Sequence, residues 1–342
     1  MLNRISLNFT LLVALSFCLP DSQAISQDDF YKGKTIRVVV GFSPGGGFDI
    51  YSRVIARHLG KHIPGNPAVI VENMAGAASL IAANHLYSVA KPDGLTIGNW
   101  NGGLVLNQVF GRSGVNFDAG KFEWIGAPVG ITSICVTSKS NGITDVSKWA
   151  ASKTPIKLGA TGLGSDLYDF PKILQAALGL PTQLISGYKG FADIKIAFES
   201  GEVAAVCPAW ETTKSIWRKS LDAGDASVVV QSVPRPHADL PHVPVAISLA
   251  KTEEARSLIQ TGIHDVSTIN RPYSLPPGTP KDKVQVLRRA FRATMNDPEL
   301  KAEASKSMLD FDPTPGEEVE KIVARLLKLD QRTAARLKEI LN

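Results

Sequence analysis

The sequence predicts an α/β protein of two domains. Three observations predict it. Short β-branched apolar runs alternate with stretches of helical spacing, the pattern of strands joined by helices in largely parallel sheets. A glycine-rich turn links strand to helix in each half of the chain, at residues 41–47 and again at 161–165. The length of 342 residues with a 44% apolar fraction suits two cores of ordinary size.

The chain opens with an export signal. Arg4 supplies a small positive region, and residues 7–19 form an apolar run broken by Asn8, Thr10 and Ser16. That run is shorter than the roughly 20 residues that span a bilayer. Ser22-Gln23-Ala24 offers the small residues a signal peptidase needs, which places cleavage after Ala24. Phe17 is too bulky ahead of Cys18 for a lipoprotein site. The mature protein is expected to be exported, with no later membrane-spanning segment, leaving about 318 residues of the 342.

The first unit is a strand at residues 36–40, the turn Gly41-Phe42-Ser43-Pro44-Gly45-Gly46-Gly47, and a helix over 48–63 with Ile50, Val54, Ile55 and Leu59 on one face. A strand at 68–71, a small-residue loop at 73–79, a helix at 80–89, a turn at 91–94 and a strand at 95–98 follow. A second block begins near residue 131. It holds a strand at 156–160, the turn Thr161-Gly162-Leu163-Gly164-Ser165, an amphipathic helix at 166–178, a strand at 183–185, a loop at 187–190 and a helix at 193–199. The prolines of 234–244 mark a linker, and 276–280 a second break. A helix over 281–295 carries Val284, Leu287 and Phe291. Thr314, Pro315 and Glu317 read as a helix start, continued over 319–341. These last helices are expected to return to the first domain, giving domain 1 as 25–130 plus 245–342 and domain 2 as 131–244. Cys135 and Cys207, in strand-like runs at 131–136 and 202–207, read as two small buried apolar residues rather than as a bridge.

A formal charge of +5 is mild, and no Lys/Arg run carries interleaved aromatics, so nucleic acid is excluded as a partner. Gly41-Phe42-Ser43-Pro44-Gly45 matches the spacing of a hydrolase elbow, but the oxyanion donor that follows the serine would be Pro44, which has no N–H. Residues 41–46 have P-loop glycine spacing, yet Gly47-Phe48 stand where Lys and Ser/Thr are required; Leu167 likewise replaces the third glycine of a dinucleotide turn. His58 and His62 share a helical face but lack a third ligand, so they read as exposed polar residues, with no metal and no cofactor expected. What remains is anion capture. A glycine turn opening a helix leaves unpaired N–H groups at the positive end of the helix dipole, and glycine lets a ligand approach that backbone. Two such turns facing one cleft would hold a dicarboxylate by its ends.

In order and spacing, several motifs carry a resemblance over nearly all of the mature chain: Tyr31-Lys32-Gly33-Lys34-Thr35-Ile36-Arg37, Phe42 to Asp49, Val71-Glu72-Asn73 with Ala75-Gly76-Ala77, Lys91-Pro92-Asp93-Gly94-Leu95-Thr96, Tyr188-Lys189-Gly190, Asp239-Leu240-Pro241-His242-Val243-Pro244 and Pro277-Gly278-Thr279-Pro280. The chain resembles the periplasmic solute-binding receptors of tripartite tricarboxylate transporters, the Bug or TctC-like family. The resemblance implies a type II periplasmic-binding-protein fold. It also implies a non-enzymatic, monomeric receptor that captures a small carboxylate and delivers it to membrane transporter subunits. A periplasmic sensor is the alternative. Carried over residue by residue, the implied ligand site is Phe42, Pro44, Gly45, Gly46, Asp49, Ala77, Ser79, Thr161, Gly162, Ser165 and Tyr168, with Tyr188 bordering the cleft. Asp49 either orders the helix N-terminus or accepts from the ligand. Three departures put ligand identity in question: Ala75 replaces a usual proline, Tyr168 a common histidine, and Ala209-Trp210-Glu211 a motif that often carries Asp-Asn. The 217–233 segment is also long for the family. Trp210 lines an aromatic pocket or packs at a domain edge; Lys189 is expected to be structural.

Overall fold

The structure is a computed structural model that describes residues 30–342. The export-signal reading, with Cys18, lies outside the described residues. The strands are β1 (Thr35–Val40), β2 (Ala68–Asn73), β3 (Thr96–Asn99), β4 (Glu123–Ala127), β5 (Ser133–Ser138), β6 (Ile156–Gly159), β7 (Thr182–Ile185), β8 (Ala205–Val206), β9 (Ala226–Ser232), β10 (Tyr273–Leu275) and β11 (Thr314–Pro315). They form two sheets, a six-stranded one in the order β11-β4-β10-β3-β1-β2 and a five-stranded one in the order β7-β6-β8-β5-β9.

Both sheets are mixed, which corrects the expectation of largely parallel ones. β1 runs parallel to β2 and β3, and β6 runs parallel to β7 and β8. The returning strand β10 inserts between β3 and β4 antiparallel to both, and β11 adds antiparallel to β4. In the second sheet β5 is antiparallel to β8 and β9. The periodicity of a strand shows its burial but not its direction, so the late strands were not legible as inserts.

Strand β1 is apolar because helices cover it. Its Ile36, Val38 and Val40 share a core with Val54, Ile55 and Leu59 of the helix Gly47–Leu59 and with Val284, Leu287 and Phe291 of the helix Lys281–Asn296. A separate core in the second half joins Ile134 and Val136 to Phe191, Ile194 and Trp217. A third runs between the halves, from Trp100 and Trp124 to Phe170, Ile173 and Leu337.

The long terminal helix read from 319–341 is two helices, Gly316–Leu326 and Gln331–Leu341. Asp330 is extended, and its side chain accepts from the Thr333 amide at 3.0 Å, starting a new helix at that point. The first of the two lies against β4. The second lies on the helix Asp166–Leu178 and so straps the other half. No helix among the described residues is long and apolar enough to cross a membrane.

Cys135 and Cys207 form a disulfide, which corrects the reading of two separate buried residues. The register explains it. Val136 pairs with Val206 across antiparallel β5 and β8, so the next residues out, Cys135 and Cys207, stand opposite one another with Cα atoms 3.9 Å apart.

Candidate functional site

The first glycine turn is held rigid by one carboxylate. Asp49, in the first turn of the helix Gly47–Leu59, is 3% exposed and accepts from the Gly45 amide at 2.9 Å, from Arg53 Nε at 3.0 Å and from Asn73 Nδ2 at 3.0 Å. Burial alone would raise its pKa; the hydrogen bonds from Arg53, Gly45 and Asn73 outweigh that and hold it below the usual carboxylate range. These contacts order the turn. Gly45 needs its φ of +82° to make that turn. Gly46 is the residue that opens the helix, and no side chain caps it, so the first-turn amides are left to the cavity.

The second glycine turn has the same plan. Ser165 opens the helix Asp166–Leu178 without capping it; its hydroxyl donates instead to the Gly162 carbonyl at 2.8 Å and pairs with the Thr161 hydroxyl. Asp169 accepts from the Gly164 amide at 3.0 Å, as Asp49 does from Gly45. Burial pushes the Asp169 carboxyl up to about 7 and raises Asp166 as well.

The first turn and the start of the helix Asp166–Leu178 face each other across a small, partly open cavity. Phe42, Gly46, Gly47 and Phe48 line it from the first half, and Asp166, Leu167, Phe191, Pro208, Ala209 and Thr212 from the second, with Arg271 from the returning chain. Its volume of about 30 Å³ holds roughly two waters. A neighbouring cavity of about 20 Å³ touches Asn101, Ser165, Asp166, Asp169 and Asn270.

The halves are shut on each other here. The Ser43 hydroxyl donates to Asp193 at 2.6 Å, and the Ser43 amide donates to the Lys189 main-chain carbonyl at 3.3 Å. Gly190 and Gly47 allow this approach. A Cβ on Gly190 would lie 2.5 Å from Ser43 Oγ, and one on Gly47 would lie 2.2 Å from Thr212 Oγ1. A solute larger than about two waters does not fit this cavity with the halves so placed.

Of the residues named from sequence, Phe42 and Gly46 line the first cavity, and Ser165 lines its neighbour. Pro44 and Gly45 are exposed at the rim. Ala77 and Ser79 belong to a strained loop of positive φ, with Ala78 beside Gly162 and the Ser79 hydroxyl accepting from the Asn101 amide at 2.9 Å. Thr161 is buried and Gly162 half-buried behind that loop, and Tyr168 is half-buried outside the two cavities. The Tyr188 hydroxyl turns away to Glu202 at 2.5 Å. Trp210 packs in the core of the second half with its indole N–H on Asp239 at 2.9 Å, and it also lines an open surface pocket with Lys214, Asp239 and Asp310, away from the glycine turns. His58 and His62 are not exposed polar residues: His58 is 8% exposed and bonds Glu303 at 2.8 Å, and His62 bonds Asp297 at 2.7 Å. The helix Pro298–Lys306 covers that face, which its distance along the chain concealed. Lys61 occupies the same carboxylates, at 2.7 Å from Asp297 and 2.6 Å from Glu299, where a cation would have to sit.

Sequence reasoning missed Arg271 and Thr212. Arg271 is 3% exposed, donates through Nη2 to Thr212 Oγ1 at 2.9 Å, and lies over the rings of Phe48 at 5.5 Å and Tyr51 at 5.1 Å. One charge in Ile269-Asn270-Arg271-Pro272 has no periodic partner, so only the fold brings it to the glycine turn.

Two mixed sheets shut over a cleft between helix N-termini define a two-domain, type II periplasmic-binding-protein fold. The chain is similar over its length to solved structures of that kind. It matches the periplasmic binding protein BugD with a TM-score of 0.73 at 19% identity, over 91% of this chain and 98% of that one. It matches MatC from Rhodopseudomonas palustris, solved with bound malate, with a TM-score of 0.69 at 20% identity, over 91% and 99%. Among curated proteins it is 27% identical over 309 residues to the UPF0065 protein in gbd 5'region of Cupriavidus necator, covering 85% of this chain and 83% of the relative. No family model matches the chain. The resemblance to Bug/TctC-like periplasmic binding proteins is borne out.

Proposed function

We propose that the chain is an extracytoplasmic, non-enzymatic receptor that binds a small organic carboxylate between its halves and hands it to the membrane subunits of a tripartite tricarboxylate-type transporter. The carrying observation is the convergence of two uncapped helix N-termini, at Gly46 and Ser165, on adjoining cavities walled by both halves. The binding residues in this reading are Phe42 and Gly46 in the wall, Pro44 and Gly45 at the rim, Ser165 beside them, and Ala77, Ser79, Thr161, Gly162, Tyr168 and Tyr188 on the surrounding loops. Asp49 supports the turn. The malate bound to MatC supports the ligand class. A periplasmic location and a monomeric state complete the reading, with domain 1 as 25–130 plus 245–342 and domain 2 as 131–244.

The test is a thermal-shift screen of carboxylates on the purified mature protein. A ligand that binds only the folded chain raises the melting temperature, by an amount set by its concentration over Kd. At least one small carboxylate is expected to do so. A full panel of mono-, di- and tricarboxylates with no shift would overturn the reading.

A further inference from the structure

The Arg271 guanidinium has no carboxylate in contact. It is 3% exposed, and among the described residues its Nε and Nη1 lack any hydrogen-bond partner; Nη2 alone is engaged, on Thr212. Two carboxylates lie nearby, the buried Glu211 and the half-buried Asp166, whose pKa the Arg271 charge pulls down against the effect of burial. Glu211 accepts from the Thr132 amide through both oxygens, at 2.9 and 3.2 Å, and Asp166 accepts from Asn101 Nδ2 at 3.1 Å. Neither forms an ion pair with Arg271. Buried charges are ordinarily paired, and an unpaired one is strongly destabilising.

The guanidinium is also held in place. Thr212 fixes one end, and the faces of Phe48 and Tyr51 flank it. Gly47 is bare where a Cβ would come within 2.8 Å of Nη2, so the first helix N-terminus closes directly onto it. A fixed cation with free donors, beside uncapped helix amides, in a cavity between two closing halves, is the arrangement that charge-assisted hydrogen bonding to a carboxylate requires. Asp166 lines the same cavity from the second half. Its carboxyl group offers an acceptor to a hydroxyl or ammonium group.

We infer that Arg271 is the counter-charge for the ligand's carboxylate and that Asp166 accepts from a donor on the same ligand, so that the cleft selects small hydroxy or amino acids over unsubstituted acids. This rests on the reading of the cleft as a carboxylate site.

The test uses succinate, L-malate and L-aspartate, which share a four-carbon skeleton and differ in one substituent. Titration calorimetry of the wild-type protein is expected to show L-malate or L-aspartate bound about tenfold or more tighter than succinate. Arg271→Gln is expected to weaken the preferred ligand by at least about 30-fold, with Arg271→Lys in between. Asp166→Asn should bring the ratio of substituted to unsubstituted acid close to one. Because a buried arginine can matter for folding, a second measurement uses the wild-type protein: with 15N-arginine labelling, and Arg271→Lys for assignment, the Arg271 Nε–H resonance is expected to move on ligand addition. A folded Arg271→Gln that binds as wild type does, or an Nε–H resonance unmoved at saturation, overturns the role of Arg271 while the receptor reading stands. Succinate bound as well as L-malate and L-aspartate overturns the role of Asp166. Wild-type protein that binds no carboxylate at all overturns the receptor reading, and this inference with it.

Discussion

Ser43 of the first glycine turn donates its hydroxyl to Asp193 of the other half at 2.6 Å, and the pair acts as a latch across the closed cleft. A hydrogen bond to a charged group contributes about 1.5–3 kcal/mol, and only the closed form contains this one. Ser43→Ala should therefore weaken ligand binding roughly tenfold, mainly by faster release, while the melting temperature of the ligand-free protein falls by little. Stopped-flow dissociation of a bound carboxylate measures it. An unchanged release rate would show that the latch is not part of the bound state.

Adjacent glycines in the turn have opposite tolerances. A Cβ at Gly46 meets nothing closer than 3.8 Å, whereas one at Gly47 would come within 2.2 Å of Thr212 Oγ1 and 2.8 Å of Arg271 Nη2. Both residues begin or precede a helix, so alanine suits the local backbone in either case. Gly46→Ala should bind ligand within a few-fold of wild type. Gly47→Ala should keep its fold by circular dichroism and lose most of its ligand-induced thermal shift, because the halves can no longer close. Equal behaviour of the two variants would remove Gly47 from the closing surface.

Much of this architecture was legible before any coordinates. The burial of β1, the turn from Gly41 to Gly47 and the helix face of Val54, Ile55 and Leu59 are local, and periodicity reports them directly. Phe42 and Gly46, carried over by the resemblance, line the cavity beside that turn. What stayed hidden is long-range. The antiparallel insertion of β10, the cover that the helix Pro298–Lys306 places over His58, and the arrival of Arg271 beside Gly47 each depend on where the chain returns, and no spacing within one segment records that. The disulfide failed for the same reason: Cys135 and Cys207 are 72 residues apart and become neighbours only once β5 pairs with β8.

That disulfide carries a stability prediction. Closing a loop of this separation removes unfolded-state entropy worth about 4 kcal/mol in the chain-entropy picture, and measured losses for native bridges run roughly 2–5 kcal/mol. The double variant Cys135→Ser, Cys207→Ser should lower the urea midpoint accordingly, with ligand specificity retained, since neither cysteine lines the cavities. Reduction of the wild-type protein should reproduce the loss. A midpoint insensitive to both treatments would mean that the bridge does not form in the folded protein.

The pH dependence of stability should carry the signature of Asp169. Burial raises its carboxyl to about 7; the Gly164 amide and Arg112 oppose the rise, and Asp166 adds to it. An unfolded aspartate titrates near 3.9. Between about pH 4 and pH 7 the folded state therefore holds a proton that the unfolded state has released, and stability falls as pH rises through that window, flattening above it. The loss has a ceiling of about 4 kcal/mol, three pKa units at 1.36 kcal/mol each. Other groups act differently. Burial lowers His264, whose contribution grows with pH, and the depressed carboxyls of Asp49 and Asp297 lose theirs only in stronger acid. Comparing wild type with Asp169→Asn cancels these terms. The asparagine keeps a carbonyl oxygen for the Gly164 amide, now held at 3.0 Å by the carboxylate, but cannot titrate. Melting temperatures from pH 5 to pH 8 should fall more steeply for wild type than for the variant. Parallel curves would show that Asp169 is ionised in the folded protein throughout, and that the second glycine turn is held by a charge in the same way that Asp49 holds the first.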